Sequence, residues 1–190
     1  FRFVIIADSH GCQDAYPQLL QQALDEQPVF MIHLGDLTRT GTLAQLQKVK
    51  QELDNLDLDY FVVPGDHDIA SSRDIANFEA VFGYNNYAFE YQGLHFILFN
   101  NADTSRPIAD PNWLWLQNEL DKQLPTLLFM HNPPEHPFLR KHTMEENPAG
   151  FKDKETLLAL INDYEIKGIF AGEMHMFLKL SLIHISEPTR

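Results

Sequence analysis

The sequence has little of three things: cysteine, positive charge and long hydrophobic runs. Its single cysteine, Cys12, excludes an internal disulfide and a cysteine-based zinc cluster, so a bound metal must be held by histidine and carboxylate side chains. Only 14 lysines and arginines stand against 27 aspartates and glutamates, and the formal net charge of -13 has the wrong sign for gripping a nucleic-acid backbone. No apolar run approaches the roughly 18 to 20 residues that a membrane-spanning helix needs. We therefore expect neither stable nucleic-acid binding nor a membrane span.

The 190 residues are 44% hydrophobic, which is enough to bury one sizeable core. Five apolar runs have strand length and are continuous rather than alternating, as in strands that are covered on both faces: 3–7, 30–34, 60–63, 126–130 and 166–171. Helical periodicity lies between these runs, over residues 14–24, 42–56, 73–82, 110–120 and 152–164. A hairpin is predicted over residues 87–99, with its turn at Gln92-Gly93. Strands that alternate with helices in this way predict an α/β fold with mixed sheets.

Polar residues follow each of the five predicted strands. They are Asp8-Ser9-His10, Gly35-Asp36, Gly65-Asp66-His67-Asp68, His131-Asn132 and Gly172-Glu173-Met174-His175. In layered α/β folds, ligands bind beyond the carboxyl ends of the strands, so these side chains should meet at one edge. Each motif alone is more often a turn or a helix cap. Four carboxylates in one cleft would repel one another unless cations neutralise them, and the set therefore predicts a metal site.

The order D-x-H, G-D, G-D-H-D, H-N-P-P and G-E-x-H resembles the calcineurin-like metallophosphoesterases, and the resemblance extends from residue 3 to about residue 177. It implies a four-layer αββα sandwich of two mixed β-sheets flanked by helices, with two bound metal ions. The matching positions imply that one metal takes Asp8, His10 and His175, that Asp36 bridges both metals, and that the second takes Asp66, His131 and Glu173. The catalytic positions would be His67, which faces the substrate, and the neighbouring Asp68.

Two divalent ions about 3.5 to 4 Å apart turn a shared water into hydroxide and clamp phosphoryl oxygens. The resemblance therefore implies a dinuclear metal-dependent hydrolase, in which a bridging hydroxide attacks phosphodiester or phosphomonoester bonds of a small molecule or nucleotide. The Gly35-Asp36-Leu37-Thr38-Arg39 stretch lacks the second aspartate of the family's protein phosphatases. The compact layout is more similar to the small bacterial branch near the class III cyclic-nucleotide phosphodiesterases, although Asn132 replaces a histidine of that group.

Two residues depart from the family pattern, and both fall in the second metal site. Asp66 stands where the family has asparagine, and Glu173 stands where it has histidine. The site then has four ligand charges instead of two, which favours harder ions: we expect Mn²⁺, Fe or both, with Mg²⁺ or Zn²⁺ as alternatives. A less positive site should also suit diesters better than dianionic monoesters. The alternative hypothesis is a catalytically weakened metal-binding or interaction module of the same fold.

The long loop after the fourth predicted strand contains four basic residues: His136, Arg140, Lys141 and His142. Any of them could contact a phosphate, but exposed basic loop residues are more often simply solvated. At the chain's end, residues 180–190 (LSLIHISEPTR) resemble the translation of a sequencing adapter. We expect a phosphoesterase domain over residues 1–179, shortened at both ends, and a non-native tail over 180–190.

Overall fold

The computed structural model describes residues 1–12, 15–72 and 74–175. The expected tail at 180–190 lies outside the described residues. The first half of the chain contains β1 (Val4–Ile6), α1 (Tyr16–Asp25), β2 (Met31–His33), α2 (Leu43–Asp54), β3 (Tyr60–Val62), α3 (Asp66–Ile69) and α4 (Ala76–Phe82). The second half contains β4 (Tyr87–Tyr91), β5 (Leu94–Leu98), α5 (Asp110–Leu120), β6 (Thr126–Met130), α6 (Pro148–Ile161) and β7 (Ile166–Ala171).

The strands form two sheets. The first sheet has the order β1-β2-β3 and is parallel throughout the described residues. The second has the order β4-β5-β6-β7, in which β4 runs antiparallel to β5 and the other pairs are parallel. The hairpin turns at Gln92 and Gly93 as predicted, and both residues have positive φ, as the tight turn of a hairpin requires.

Four layers follow from where the apolar side chains point. Alternate residues of β2 face opposite ways: Met31 packs with the helices α1, α2 and α4, whereas Ile32 packs toward the second sheet. On the far side, Ile97 and Leu128 pack against α5 and α6. The predicted αββα sandwich is therefore confirmed. Its strands are covered on both faces, which is why their sequences are continuously apolar.

The layer between the sheets is rich in phenylalanine. Phe96 and Phe129 are stacked with ring centroids 5.9 Å apart, and Phe129 stacks on Phe170 at 5.1 Å. Phe30, which directly precedes β2 of the first sheet, contacts Phe96 edge to face, with ring centroids 5.3 Å apart. Burial of these rings provides a large apolar contact between the two sheets.

The helices differ from the prediction mainly at their ends. Thr42 caps α2 as expected, and its hydroxyl accepts a hydrogen bond from the Gln45 amide. The helix predicted from Arg73 begins at Ala76, the one predicted from Lys152 begins at Pro148, and Asp14, the expected first cap, lies outside the described residues. The short helix α3 was not predicted. No helix in the described part of the chain is long and apolar enough to cross a membrane.

Candidate metal centre

Parallel pairing within each sheet brings the carboxyl ends of six strands, β1, β2, β3, β5, β6 and β7, to one edge of the sandwich. Within the first sheet, the Asp8 amide donates to the Gly35 carbonyl at 3.1 Å, and the His10 amide donates to the Asp36 carbonyl at 2.8 Å. Between the sheets, the Glu173 amide donates to Asp8 Oδ1 at 3.0 Å. The loops of both sheets therefore form one continuous rim.

Three of the predicted ligands form a first cluster at this rim. The ligand atoms of Asp8, His10 and His175 lie within 4.8 Å of one another. His175 Nε2 is 3.4 Å from His10 Nε2 and 3.8 Å from Asp8 Oδ1. Two imidazoles and a carboxylate at such separations are a donor set that a divalent transition metal accepts.

A second cluster lies beside the first. It contains Asp8, Asp36, His131 and Glu173, whose ligand atoms also lie within 4.8 Å of one another. His131 Nε2 is 3.2 Å from Glu173 Oε2 and 3.5 Å from Asp36 Oδ1. Asp66, from the start of α3, brings its Oδ1 to 3.5 Å from the same nitrogen. The structure thus brings together all seven side chains predicted as metal ligands.

Asp36 belongs to the second cluster, also approaches His10 of the first, and is fully buried. Its Oδ1 accepts a hydrogen bond from the His67 amide at 3.0 Å, while its Oδ2 is 3.6 Å from His10 Nε2. Oδ2 is buried without a hydrogen-bond partner among the described residues. Burial raises the pKa of Asp36 to about 7. A buried carboxylate oxygen without a donor is the arrangement that a bound cation would satisfy, so the residues fit a metal.

The imidazole of His131 is held in a fixed orientation. Its Nδ1 lies 2.8 Å from the Leu34 carbonyl, so this nitrogen donates and Nε2 is turned toward the carboxylates. Burial by itself would lower the pKa of His131, but contacts with Asp66 and Glu173 raise it well above the usual value. In the same way, burial would raise the pKa of Glu173, but hydrogen bonds from His131 and His142 lower it. The charged forms of His131 and Glu173 are therefore stabilised by their neighbours in the cluster, against the effect of burial.

The backbone at the rim has unusual geometry. Asp8, His10, Asp36, Glu173 and His175 all have φ between 48° and 61°, a left-handed conformation that side-chain-bearing residues seldom adopt. Gly65 is needed for close approach, because a Cβ there would lie 2.2 Å from Asp36 Oδ1. Strained backbone of this kind is concentrated at functional sites in proteins.

The two residues predicted to be catalytic have different positions. His67 lies at the rim, with its ring centroid 4.7 Å from that of His10, and its Nδ1 donates to the Arg39 carbonyl at 2.7 Å, so Nε2 is left for other partners. Asp68 is fully buried beneath the rim. Its two oxygens accept hydrogen bonds from Leu37, Thr38 and Gly65. Asp68 therefore ties the loops together, and its carboxylate is not exposed at the rim.

Two further contacts come from residues outside the predicted ligand set. Asn101 Oδ1 accepts hydrogen bonds from the amides of His131 and Asn132, each at 3.0 Å, and so fixes the start of the loop after β6. His142 Nδ1 lies 2.6 Å from Glu173 Oε1. The sequence signal for Asn101 was a polar residue at a strand end, and for His142 only its place in a basic loop.

Open clefts adjoin both clusters. A cleft of about 600 Å³ beside the second cluster is lined by Asp66, Glu173, Asn132, Thr104 and Arg106 among others. A cleft of about 700 Å³ beside the first is lined by Asp8, His10 and His175 together with Arg39 and Lys48. Either is large enough for a small organic ligand.

Similar proteins are known among curated sequences. "Probable glycerophosphodiester phosphodiesterase GpdQ" of Arcobacter nitrofigilis is 26% identical over 163 residues, which cover 80% of this chain and 58% of that protein. The 3',5'-cyclic-nucleotide phosphodiesterase alr5338 of a Nostoc species is 28% identical over 153 residues, which cover 76% of this chain and 55% of that protein. The chain thus spans a little over half the length of these relatives.

Solved structures share the fold at low identity. Purple acid phosphatase PPD1 from yellow lupin superposes with a TM-score of 0.67 at 16% identity, covering 91% of this chain and 37% of that one. TT1561 of Thermus thermophilus gives a TM-score of 0.58 at 17% identity, covering 89% of this chain and 80% of that one. The sequence model of the calcineurin-like phosphoesterases matches residues 1–177, nearly the whole chain. This chain therefore belongs to the calcineurin-like phosphoesterase family.

Proposed function

We propose that the chain is the catalytic part of a metal-dependent phosphoesterase that hydrolyses small phosphodiesters. Family membership implies a dinuclear metal centre. The observation that supports the proposal is the buried Asp36 carboxylate. Its Oδ1 lies near His131 of the second cluster and its Oδ2 near His10 of the first, and Oδ2 has no hydrogen-bond donor among the described residues. Both curated relatives are named as phosphodiesterases.

We assign the ligands by position. Asp8, His10 and His175 would hold the first metal, and Asp66, His131 and Glu173 the second, with Asp36 shared between the two. A carboxylate suits the shared position because it has two oxygens to offer, whereas His131 has only Nε2 free once Nδ1 donates to Leu34. Two divalent cations bound here would supply Lewis acidity, lowering the pKa of a water molecule and neutralising phosphoryl oxygens.

The reaction is ordinary ester hydrolysis: the oxygen of water bonds to phosphorus, the ester P–O bond breaks, and the leaving alcohol takes up a proton. We assign the assisting role to His67. Its Nδ1 is anchored to the Arg39 carbonyl, which fixes the ring so that Nε2 can donate to a phosphoryl oxygen or to the leaving group.

The charge of the site affects which metal ions and which phosphate esters it prefers. Four carboxylates, at positions 8, 36, 66 and 173, would balance two divalent cations completely. Oxygen-rich coordination favours Mn²⁺ or Fe over Zn²⁺, and a centre with no surplus positive charge attracts a dianionic monoester less than a monoanionic diester. We therefore propose manganese or iron as the native metals and diesters of small molecules or nucleotides as substrates.

Loading the metal-free chain separately with Mn²⁺, Mg²⁺, Fe and Zn²⁺ tests this proposal. We expect the highest rate with Mn²⁺ or Fe, and a higher rate on bis(p-nitrophenyl) phosphate than on p-nitrophenyl phosphate. His67→Ala should retain both metals and lose about 10²- to 10⁴-fold in rate, the usual range for a positioned acid or a charge-stabilising donor. Metal content by elemental analysis accompanies each assay.

Two results would contradict the proposal. Two zinc ions per chain with full monoesterase activity would refute the metal and substrate assignments. A metal-loaded chain that hydrolyses neither ester would favour the alternative, a metal-binding module without turnover.

A further inference from the structure

The loop that joins β6 to α6, residues 131–147, is folded against the body of the protein on its C-terminal side. Thr143 and Met144 are almost completely buried, and the Met144 amide donates to the Pro133 carbonyl at 2.9 Å. The following Glu145 pairs with the buried Lys154 of α6 at 2.6 Å. Residue 142, next to these anchors, is therefore held in a defined place.

From this position, the side chain of His142 reaches the rim of the candidate metal centre. Its backbone amide donates to Glu146 Oε2 at 2.8 Å, and its φ of 62° is left-handed. That conformation is unfavourable for an ordinary side chain. It brings the ring to Glu173, 31 positions away, with Nδ1 2.6 Å from Oε1. A carboxylate can only accept, so Nδ1 carries the hydrogen.

The two oxygens of Glu173 thus have separate partners. Oε1 accepts from His142, while Oε2 lies 3.2 Å from His131 Nε2, on the side of the second cluster. The Glu173 backbone is already tied to Asp8 Oδ1. Among the described contacts, His142 is the one that fixes the carboxylate from the side away from the cluster. Without it, the glutamate side chain would be free to turn about its terminal bonds.

We propose that His142 is a positioning residue, which holds the Glu173 carboxylate so that Oε2 faces the second metal position. This inference rests on the proposed function insofar as Glu173 is taken to be a metal ligand. Partners of ligating groups in this outer position orient the ligand, and their removal typically weakens metal binding about 10- to 100-fold.

Two substitutions separate the side chain from the backbone. His142→Gly removes the imidazole and suits the left-handed backbone, so that strain does not obscure the result. His142→Asn also tolerates positive φ, and its amide nitrogen lies close to the position of Nδ1, so it retains a donor for Glu173. His136→Ala is the matched control, because His136 lies in the same loop and its Nδ1 accepts only the local amides of Phe138 and Leu139 in the described structure.

Calorimetric titration of each metal-free protein with Mn²⁺ gives the readout, and circular dichroism checks that the variants are folded. We expect His142→Gly to weaken one of the two sites about 10- to 100-fold and to leave the other unchanged. His142→Asn and His136→Ala should stay within about threefold of the parent protein. This readout is independent of turnover, so a chain that binds metal as described but hydrolyses no ester would contradict the proposed function and leave the inference standing.

Three outcomes would overturn the inference. One is equal Mn²⁺ binding by His142→Gly and the parent protein. Another is an equal loss of Mn²⁺ affinity in the Asn and Gly variants, since that would show that the site needs the imidazole itself rather than a hydrogen-bond donor to Glu173. A parent protein that binds no Mn²⁺ would overturn it together with the metal assignment.

Discussion

At the scale of single residues, Asp68 shows how a buried carboxylate can support a site from below. Oδ1 accepts from the amide and hydroxyl of Thr38, and Oδ2 accepts from the amides of Leu37 and Gly65. Burial raises the pKa of Asp68, although these hydrogen bonds act in the opposite direction. Four donors on two oxygens tie the loop after β2 to the loop after β3, which carry Asp36 and Asp66.

The substitution Asp68→Asn should therefore destabilise the fold. Whichever way the amide is turned, its NH₂ group faces two donors, and at least one buried amide hydrogen loses its acceptor. We expect a loss of about 3 kcal/mol in the free energy of unfolding, measured by urea denaturation. Asp163→Asn on the exposed surface is the control, with an expected change below about 0.5 kcal/mol. Unchanged stability with lost turnover would instead indicate a direct part in the reaction.

The sequence could not distinguish Asp68 from its neighbours. Asp66, His67 and Asp68 are consecutive and all polar, and in the short helix α3 they point in different directions. A four-residue helix has no periodicity from which those directions can be predicted. The contact between His142 and Glu173 could not be predicted either, because 31 residues separate them and no local pattern links a loop histidine to a distant carboxylate.

At the scale of secondary-structure elements, the strands were predictable to within about one residue at each end. Continuous apolar runs identified β1, β2, β3, β6 and β7, and polar motifs after them identified the edge where the ligands meet. Helix ends were less predictable: Asn147-Pro148 begins α6, but the apolar periodicity becomes clear only several residues later. The ends of the elements are decided by local hydrogen bonds and tertiary packing, which hydrophobic periodicity does not record.

The turn between β3 and α3 gives a prediction at this scale. Gly65 has no room for a side chain, since a Cβ would lie 2.3 Å from the Asp36 amide nitrogen as well as close to its carboxylate. Gly65→Ala should push the two loops apart, costing about 1 to 3 kcal/mol in unfolding free energy and weakening Mn²⁺ binding in calorimetry.

A glycine outside the rim provides the comparison. Gly93 in the hairpin turn has a φ of 81°, and no described atom lies within 4 Å of the place that a Cβ would occupy. Gly93→Asn should therefore keep Mn²⁺ affinity within experimental error, because asparagine tolerates this backbone. Normal metal affinity in Gly65→Ala would show that the close approach of the loops is not required for the centre.

At the scale of the whole molecule, the net charge of -13 opposes folding unless cations bind. Part of that charge is concentrated at the rim, where four carboxylates come from both sheets. A ligand that binds only the folded chain stabilises it by an amount that grows with the logarithm of the free ligand concentration, about 2.7 kcal/mol at 100 times its Kd. Metal binding should therefore add to the free energy of unfolding as well as serve the proposed reaction.

We expect Mn²⁺ at about 100 times its Kd to raise the Tm of the metal-free chain by about 5 to 10 °C, from roughly 2 to 4 °C per kcal/mol at this size. Differential scanning calorimetry with and without EDTA measures the shift. Asp36→Asn should reduce it, because the shared carboxylate would lose its charge. A Tm that does not respond to Mn²⁺ would contradict a metal centre at the rim.

The stacked phenylalanines between the sheets have a consequence for the distance between the two halves of the centre. The first sheet carries Asp8, His10, Asp36 and Asp66 beyond its strands, and the second carries His131, Glu173 and His175. The layer of rings between the sheets therefore acts as a spacer that fixes the distance between these two groups of side chains. Thinning that spacer, for example by Phe96→Leu, would change the separation of the candidate ligands from within the core, at a residue that belongs to neither cluster.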